Sequence, residues 1–166
     1  VMTSFRIAYC KVNYPEAFYA TYFTTTVDDF DIELITSGID NVKERLNKIK
    51  ELGTKATTKE NSQYTILEVV VEMYARGIEF MHIDLYESDA KDFKIYGPKK
   101  ILPPMVSLQG MGENAALSVV DARKDGKFLS KEDLIKRTKL SKTVVEKLSE
   151  HGALDGMSEK NQLSFF

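Results

Sequence analysis

The 166 residues read as a mainly helical α+β chain with a small antiparallel strand patch set between helical parts. Three observations lead there. Apolar residues recur at helical spacing through most of the first half and again after residue 113. Around residues 80–86 the period shifts to two. Pro15, Gly53, Gly77 and Gly152 fall where the helical stretches begin or end.

Residues 1–10 form the first helix, with Met2, Phe5, Ile7, Ala8 and Tyr9 as its apolar side. Cys10 lies on that face, where core packing is expected. Pro15 suits the first turn of a helix running to about Thr25, and Phe18, Tyr19, Tyr22 and Phe23 are its aromatic side. Their helical spacing favours packing over base stacking. Asp28 or Asp29 caps a short helix through Ile35. Gly38 interrupts. From Ile39, the residues Val42, Leu46, Ile49 and Leu52 keep helical spacing up to Gly53. Thr54 to Lys59 is a polar connection. Residues 60–76 form a largely buried helix, striped by Tyr64, Leu67, Val71 and Tyr74 and widened by Ile66, Val69, Val70 and Met73.

Phe80, His82, Asp84 and Tyr86 then alternate with Met81, Ile83 and Leu85, as a strand would. Phe93 to Tyr96 is a second strand. Ile101-Leu102 and Met105 to Leu108, on either side of Pro103-Pro104, supply a third. Helices follow near 113–124, 130–138 and 141–151. Ser130 caps one, with Glu132 and Asp133 in its acidic first turn, and Ser141 caps the next.

Length allows one ordinary domain or two small ones. The apolar stretches are far too short to span a bilayer, no signal peptide is visible, and the lone Cys10 can form no internal disulfide. A cytoplasmic location is expected. The chain starts without Met inside a helix, so a piece of something larger is expected. Net charge is −2, which alone argues against a nucleic-acid binder. Its distribution softens that argument, though the basic excess is modest and implies weak binding by this piece alone. Residues 1–98 hold 11 Lys and Arg against 16 Asp and Glu, whereas residues 99–166 hold 12 against 9. No catalytic constellation stands out. Asp28, Asp29 and Asp31 read as helix-start acids rather than metal ligands. His82 and Asp84 lack a third ligand, and His151 beside Gly152 reads as a helix C-cap.

The basic half carries the motif of interest. Leu108-Gln109-Gly110-Met111-Gly112, followed by an amphipathic stretch from Glu113, has the form of a helix-hairpin-helix turn. Its glycines permit a tight turn and close approach by phosphate. The backbone N–H groups of Gly110, Met111, Gly112, Glu113 and Asn114, with the new helix start, form an anion site indifferent to base identity. An ordinary Gly-rich turn before a helix would read the same. Thr138 to Thr143 occupies the place of a second hairpin without glycine, with Ser141, Lys142 and Thr143 as its phosphate-binding residues. A third feature closes the chain: Gln162-Leu163-Ser164-Phe165-Phe166, an aromatic pair after a polar, linker-like segment. Such a pair is suited to anchoring in a pocket on another protein, or to folding back on its own core.

The whole chain resembles the C-terminal end of a bacterial replicative polymerase, the DNA polymerase III alpha subunit of the Gram-positive PolC type. Val1 to Tyr9 followed by Lys11-Val12-Asn13-Tyr14-Pro15, then Phe18-Tyr19-Ala20 and Asp28-Asp29-Phe30-Asp31, looks like its last fingers helices. Leu108 to Gly112 looks like its first helix-hairpin-helix, and Phe128 to Leu134 like the link to the second. Gln162 to Phe166 stands where the family has its sliding-clamp motif, with Phe165 in the usual place of Leu. Gln109 replaces the Pro common in such hairpin loops.

The resemblance implies three parts: trailing fingers helices in residues 1–77, a duplex-binding region with tandem helix-hairpin-helices in 78–155, and a clamp-binding tail in 156–166. It implies double-stranded DNA, the bacterial sliding clamp and the remaining polymerase domains (palm, thumb and the rest of the fingers) as partners, with no membrane. The palm carboxylates and their Mg2+ lie upstream in this family, so the fragment alone should not polymerise DNA. Similarity to other helix-hairpin-helix proteins also admits a monovalent cation at the first hairpin. Two other readings stay open: a stand-alone helix-hairpin-helix protein of repair or recombination type, and a protein-interaction domain without a DNA role.

Overall fold

Pro15 and Gly53 bound two of the helices as their chemistry requires, in a computed structural model that describes residues 2–160. Helix α1 (Met2–Asn13) is followed by α2 (Pro15–Thr25), with proline in the first turn, where a missing N–H costs nothing. Next come α3 (Ile32–Thr36), α4 (Ile39–Leu52) and α5 (Thr58–Ala75). Thr57 and Glu60 start α5 with a reciprocal capping box: the Thr57 hydroxyl accepts the Glu60 N–H at 3.2 Å, and Glu60 accepts the Thr57 N–H at 2.8 Å. Ile66, Leu67, Val70 and Met73 form the buried face of α5, and Tyr64 and Val71 sit only half-buried at its margin. The Tyr74 hydroxyl donates to the Ile35 carbonyl at 3.2 Å and fastens α5 to α3. Burial, then the Glu79 charge, pushes its pKa up to about 12.

Four phenylalanines hold the first half to the strands. Phe23, Phe30, Phe80 and Phe93 all touch one another, with ring centroids 4.9–5.8 Å apart and mostly edge to face. This quartet explains the first correction. Phe30 must turn inward, so the chain is extended there, and Asp28 and Asp29 fall in a 3-10 turn instead of capping a helix. The cap of α3 is Asp31, whose side chain accepts the Leu34 N–H at 3.1 Å.

The sheet is smaller than the alternation predicts, and it is mixed. Strands β1 (Glu79–Phe80), β2 (Lys94–Ile95) and β3 (Lys100–Leu102) lie in the order β1-β3-β2. β3 pairs antiparallel with β2 but parallel with β1, in register Glu79 to Lys100 and Phe80 to Ile101. β1 ends early because Asp84 bends the chain: its carboxylate accepts the N–H groups of both Tyr86 and Glu87 at 2.8 Å. Ile83 and Leu85 are still buried and His82 and Asp84 exposed, so the alternation is real although the strand is not. Pro103-Pro104 ends β3, and Met105–Ser107 is a 3-10 turn rather than strand.

Cys10 is exposed, against expectation, and α1 buries none of its side chains among the described residues. Met2 and Phe5 are each 72% exposed. The apolar pattern of α1 is genuine, but no element in residues 2–160 covers it. Among the described residues its end is fastened by the Lys11 ammonium, 2.7 Å from Glu72 and over the Phe18 ring, and by Arg76 donating to the Lys11 carbonyl at 3.1 Å.

Helices α6 (Glu113–Ala122), α7 (Lys131–Arg137) and α8 (Lys142–Glu150) are the last among the described residues. Ser130 and Ser141 cap α7 and α8. One buried cluster runs from Tyr19 to Leu154, through the strands and into these last helices.

Candidate nucleic-acid interface

The first turn is closed by its own backbone. The Leu108 carbonyl accepts the Met111 N–H at 3.0 Å, and Gly110 occupies the third position with φ +89°. That is a type II turn, whose third residue needs a positive φ. Leu108 and Met111 bury their side chains and pin the turn to the core. Gly112 is different. Its φ of −73° and ψ of 157° suit any residue, and a β-carbon there would meet nothing within 4 Å. Its carbonyl accepts the N–H groups of Ala115 and Ala116, both at 3.0 Å, and so begins α6. The N–H groups of Gly112, Glu113 and Asn114 find no acceptor among the described residues, and all three residues are exposed. With the helix dipole behind them they form a positive backbone surface. Met111 does not join them, because its N–H is already engaged.

The second turn reproduces this helix start without glycine. Ser141 has φ −78° and ψ 157°, close to the Gly112 backbone. Its hydroxyl accepts the Val144 N–H at 3.3 Å and its carbonyl the Val145 N–H at 3.1 Å. Leu140 is buried just before it, as Met111 is before Gly112. Side chains replace the left-handed glycine: Lys139 donates its N–H to the Ser118 hydroxyl at 2.9 Å, and Leu140 to the Thr138 hydroxyl at 3.4 Å. Ser141, Lys142 and Thr143 are exposed, and their N–H groups have no acceptor among the described residues.

The two turns touch. A β-carbon on Gly110 would lie 3.9 Å from a Val144 methyl. Lys147 of α8 donates to the Gln109 side chain at 2.9 Å and pairs with Glu33 at 3.1 Å. Arg137 ties the link between the motifs. Its guanidinium donates to the carbonyls of Ala122, Gly126 and Lys127, pairs with Asp133 at 3.4 Å and lies 4.6 Å from the Phe128 ring centre. Arg123 donates to the carbonyls of Leu85 and Ser88 at 3.2 and 2.7 Å, and so anchors α6 to the loop after β1.

A family model described as a helix-hairpin-helix motif matches residues 77–163, more than half of the chain. The chain belongs to the helix-hairpin-helix family. Its relatives extend the match to the whole sequence. It is 52% identical over all 166 residues to DNA polymerase III PolC-type of Clostridium perfringens, of which it covers 11%. Identity is 49% to the protein of that name from Caldanaerobacter subterraneus and 48% to that from Oceanobacillus iheyensis, again over the full chain and 12% of each relative. The resemblance to a fragment of the PolC-type polymerase is therefore borne out from end to end, and the chain spans about a ninth of these relatives.

The two helix-hairpin-helix turns differ in charge. The first opens on a groove of about 520 Å³ shared with Asp28, Asp29 and Asp31, with Lys59 and Lys91 at its sides. The Lys91 ammonium lies 2.9 Å from the Glu113 carboxylate, which raises the lysine pKa through that hydrogen bond and its charge, with the Asp28 charge adding to it. The second turn presents Lys139 and Lys142, both exposed. Sequence reasoning placed Gly110, Gly112, Glu113, Asn114, Ser141, Lys142 and Thr143 at the two turns, where they are. It missed Lys91 and Arg137, whose roles depend on contacts across the fold that no local pattern encodes. Gln162, Leu163, Ser164, Phe165 and Phe166 lie outside the described residues. Among the described residues no three His, Cys, Asp or Glu side chains gather to hold a metal ion, and no helix is long and apolar enough to cross a membrane.

Proposed function

We propose that this chain is the C-terminal duplex-DNA-binding and clamp-binding part of a PolC-type replicative DNA polymerase. The observation that carries the reading is the pair of helix starts at Gly112 and Ser141. Each has the same backbone form, a buried apolar residue before it and N–H groups left without an acceptor among the described residues. Each start holds one phosphate, through Gly112, Glu113 and Asn114 at the first and through Ser141, Lys142 and Thr143 at the second. Backbone donors hold phosphate without reading bases, as a polymerase that must move along its template requires. Residues 1–77 serve as trailing fingers helices and 78–155 as the duplex grip.

Residues 156–166 are the tail, and Gln162, Leu163, Ser164, Phe165 and Phe166 tether the enzyme to the sliding clamp in the cytoplasm. Tethering raises processivity because release from the template leaves the enzyme at high local concentration. The palm carboxylates and their Mg2+ belong to the upstream part of the polymerase, so this fragment is inactive alone. Two measurements test the reading. Duplex affinity of the intact protein should fall steeply between low and moderate salt, since each neutralised phosphate releases counterions. Binding to a purified bacterial sliding clamp should be lost on removal of residues 162–166. Duplex affinity indifferent to salt, or clamp binding unchanged by the truncation, would refute the corresponding half.

A further inference from the structure

Glu113 poses a difficulty for the phosphate reading of the first turn, on which this inference rests. It is the first residue of α6, so its carboxylate suits the helix dipole but stands at the very end of the helix that an incoming phosphate must approach. Asp28, Asp29 and Asp31 line the same groove. A phosphate would meet a wall of like charge unless some cation offset it.

We propose that Lys91 is a positioning residue for the first hairpin: it neutralises Glu113 and holds its carboxylate aside, leaving the N–H groups of Gly112, Glu113 and Asn114 open to a DNA phosphate. Lys91 comes from the loop before β2 and reaches Glu113 at 2.9 Å, while lining the same groove as Gln109, Gly110 and Gly112. Its ammonium also feels Asp28, so it sits between the acidic loop and the helix start. The two partners are 50% and 54% exposed. An ion pair so open to water adds little to folding, so its removal leaves the fold intact. What it alters is the local field, because an uncompensated carboxylate within several ångströms of a phosphate repels it appreciably at low salt.

The experiment is a duplex titration at low salt on the intact protein, in a set of charge variants. Lys91→Ala should weaken binding about three- to tenfold, and Lys91→Arg should keep it. Glu113→Gln, which keeps the backbone N–H and frees the Lys91 charge, should exceed the native affinity, and Lys91→Ala combined with Glu113→Gln should return to about the native value. Gly112→Val should weaken binding by itself, and Lys91→Ala should add nothing to it, since both act at one site. Unchanged affinity in Lys91→Ala while Gly112→Val binds weakly overturns the role of Lys91 and spares the hairpin reading. A loss that Glu113→Gln fails to rescue overturns it too, since Lys91 would then touch the DNA itself. No effect of Gly112→Val overturns the hairpin reading beneath both.

Discussion

Replacing Arg137 by Ala should destabilise the fold through the link between the two hairpins. Arg137 supplies hydrogen bonds to three carbonyls, an ion pair and a ring contact, and its side chain is only a quarter exposed. The carbonyls of Gly126 and Lys127 lie on exposed residues, so water replaces the guanidinium there. Ala122 is a buried residue, and its carbonyl, at the end of α6, loses its charged donor. A charge-assisted hydrogen bond of this kind contributes about 1.5–3 kcal/mol, and the cation over Phe128 about 0.5–2 kcal/mol. Against this, the alanine variant avoids about 2 kcal/mol of rotamer entropy that ordering the arginine side chain costs. At the middle of these ranges the net loss should be about 1.5 kcal/mol. Urea denaturation should show it as a lower midpoint at unchanged slope. Arg137→Lys should recover less than half, because a point charge cannot serve three carbonyls in a fixed fork. A loss below about 0.5 kcal/mol for Arg137→Ala, the size of an ordinary surface substitution, would refute the claim that this residue joins the motifs.

Three further outcomes follow from the geometry. Gly110→Ala should cost about 1–2 kcal/mol, because its φ is +89°, whereas Gly112→Ala should cost less, under about 1 kcal/mol, since the lost N-cap preference is partly offset by the reduced freedom of the unfolded chain; the two midpoints in urea check this. Thr57→Ala should destabilise by about 1 kcal/mol through loss of the capping box, read as a lower melting temperature. Glu72 is partly desolvated, which raises its pKa, but hydrogen bonds from Lys11 and Tyr19 outweigh that and hold it below its ordinary 4.5. Its stabilising contribution is therefore full above pH 4.5 and fades as pH falls through the lowered folded value. Glu72→Gln should flatten the acid side of the stability profile, and an unchanged profile would sink the argument.

Legibility in the sequence tracked how local each cause was. Proline at the first turn of α2 and glycine after α4 act on their own neighbours, and both helices have the bounds read from them. Ser130 and Ser141 cap as read for the same reason. Asp31 was missed as a cap because the choice among three nearby aspartates depends on Phe30 reaching a ring cluster assembled from distant residues. The strand at 80–86 was overread because alternation reports burial, and Ile83 and Leu85 are buried without strand pairing. The sheet order could not be read, because parallel pairing of β1 with β3 is set by tertiary packing. Cys10 misled for a related reason: an apolar helix face announces a partner without saying that it lies within residues 2–160. At the site, the backbone of both turns was legible from glycine, serine and flanking apolar residues. The charges that tune it, Lys91 on Glu113 and Lys147 on Gln109, were not.

The central claim is that the open helix start at Gly112 grips DNA phosphate. Gly112→Val tests it most directly, since its backbone φ and the space around it admit a side chain without disturbing the fold. Duplex affinity of the intact protein should be measured across a salt series for the native and the substituted forms, alongside their stability in urea. The account predicts weaker binding at every salt concentration with near-native stability, and a slope little changed, because the donors lost are uncharged N–H groups rather than lysines or arginines. Native affinity in a stable Gly112→Val protein would contradict it.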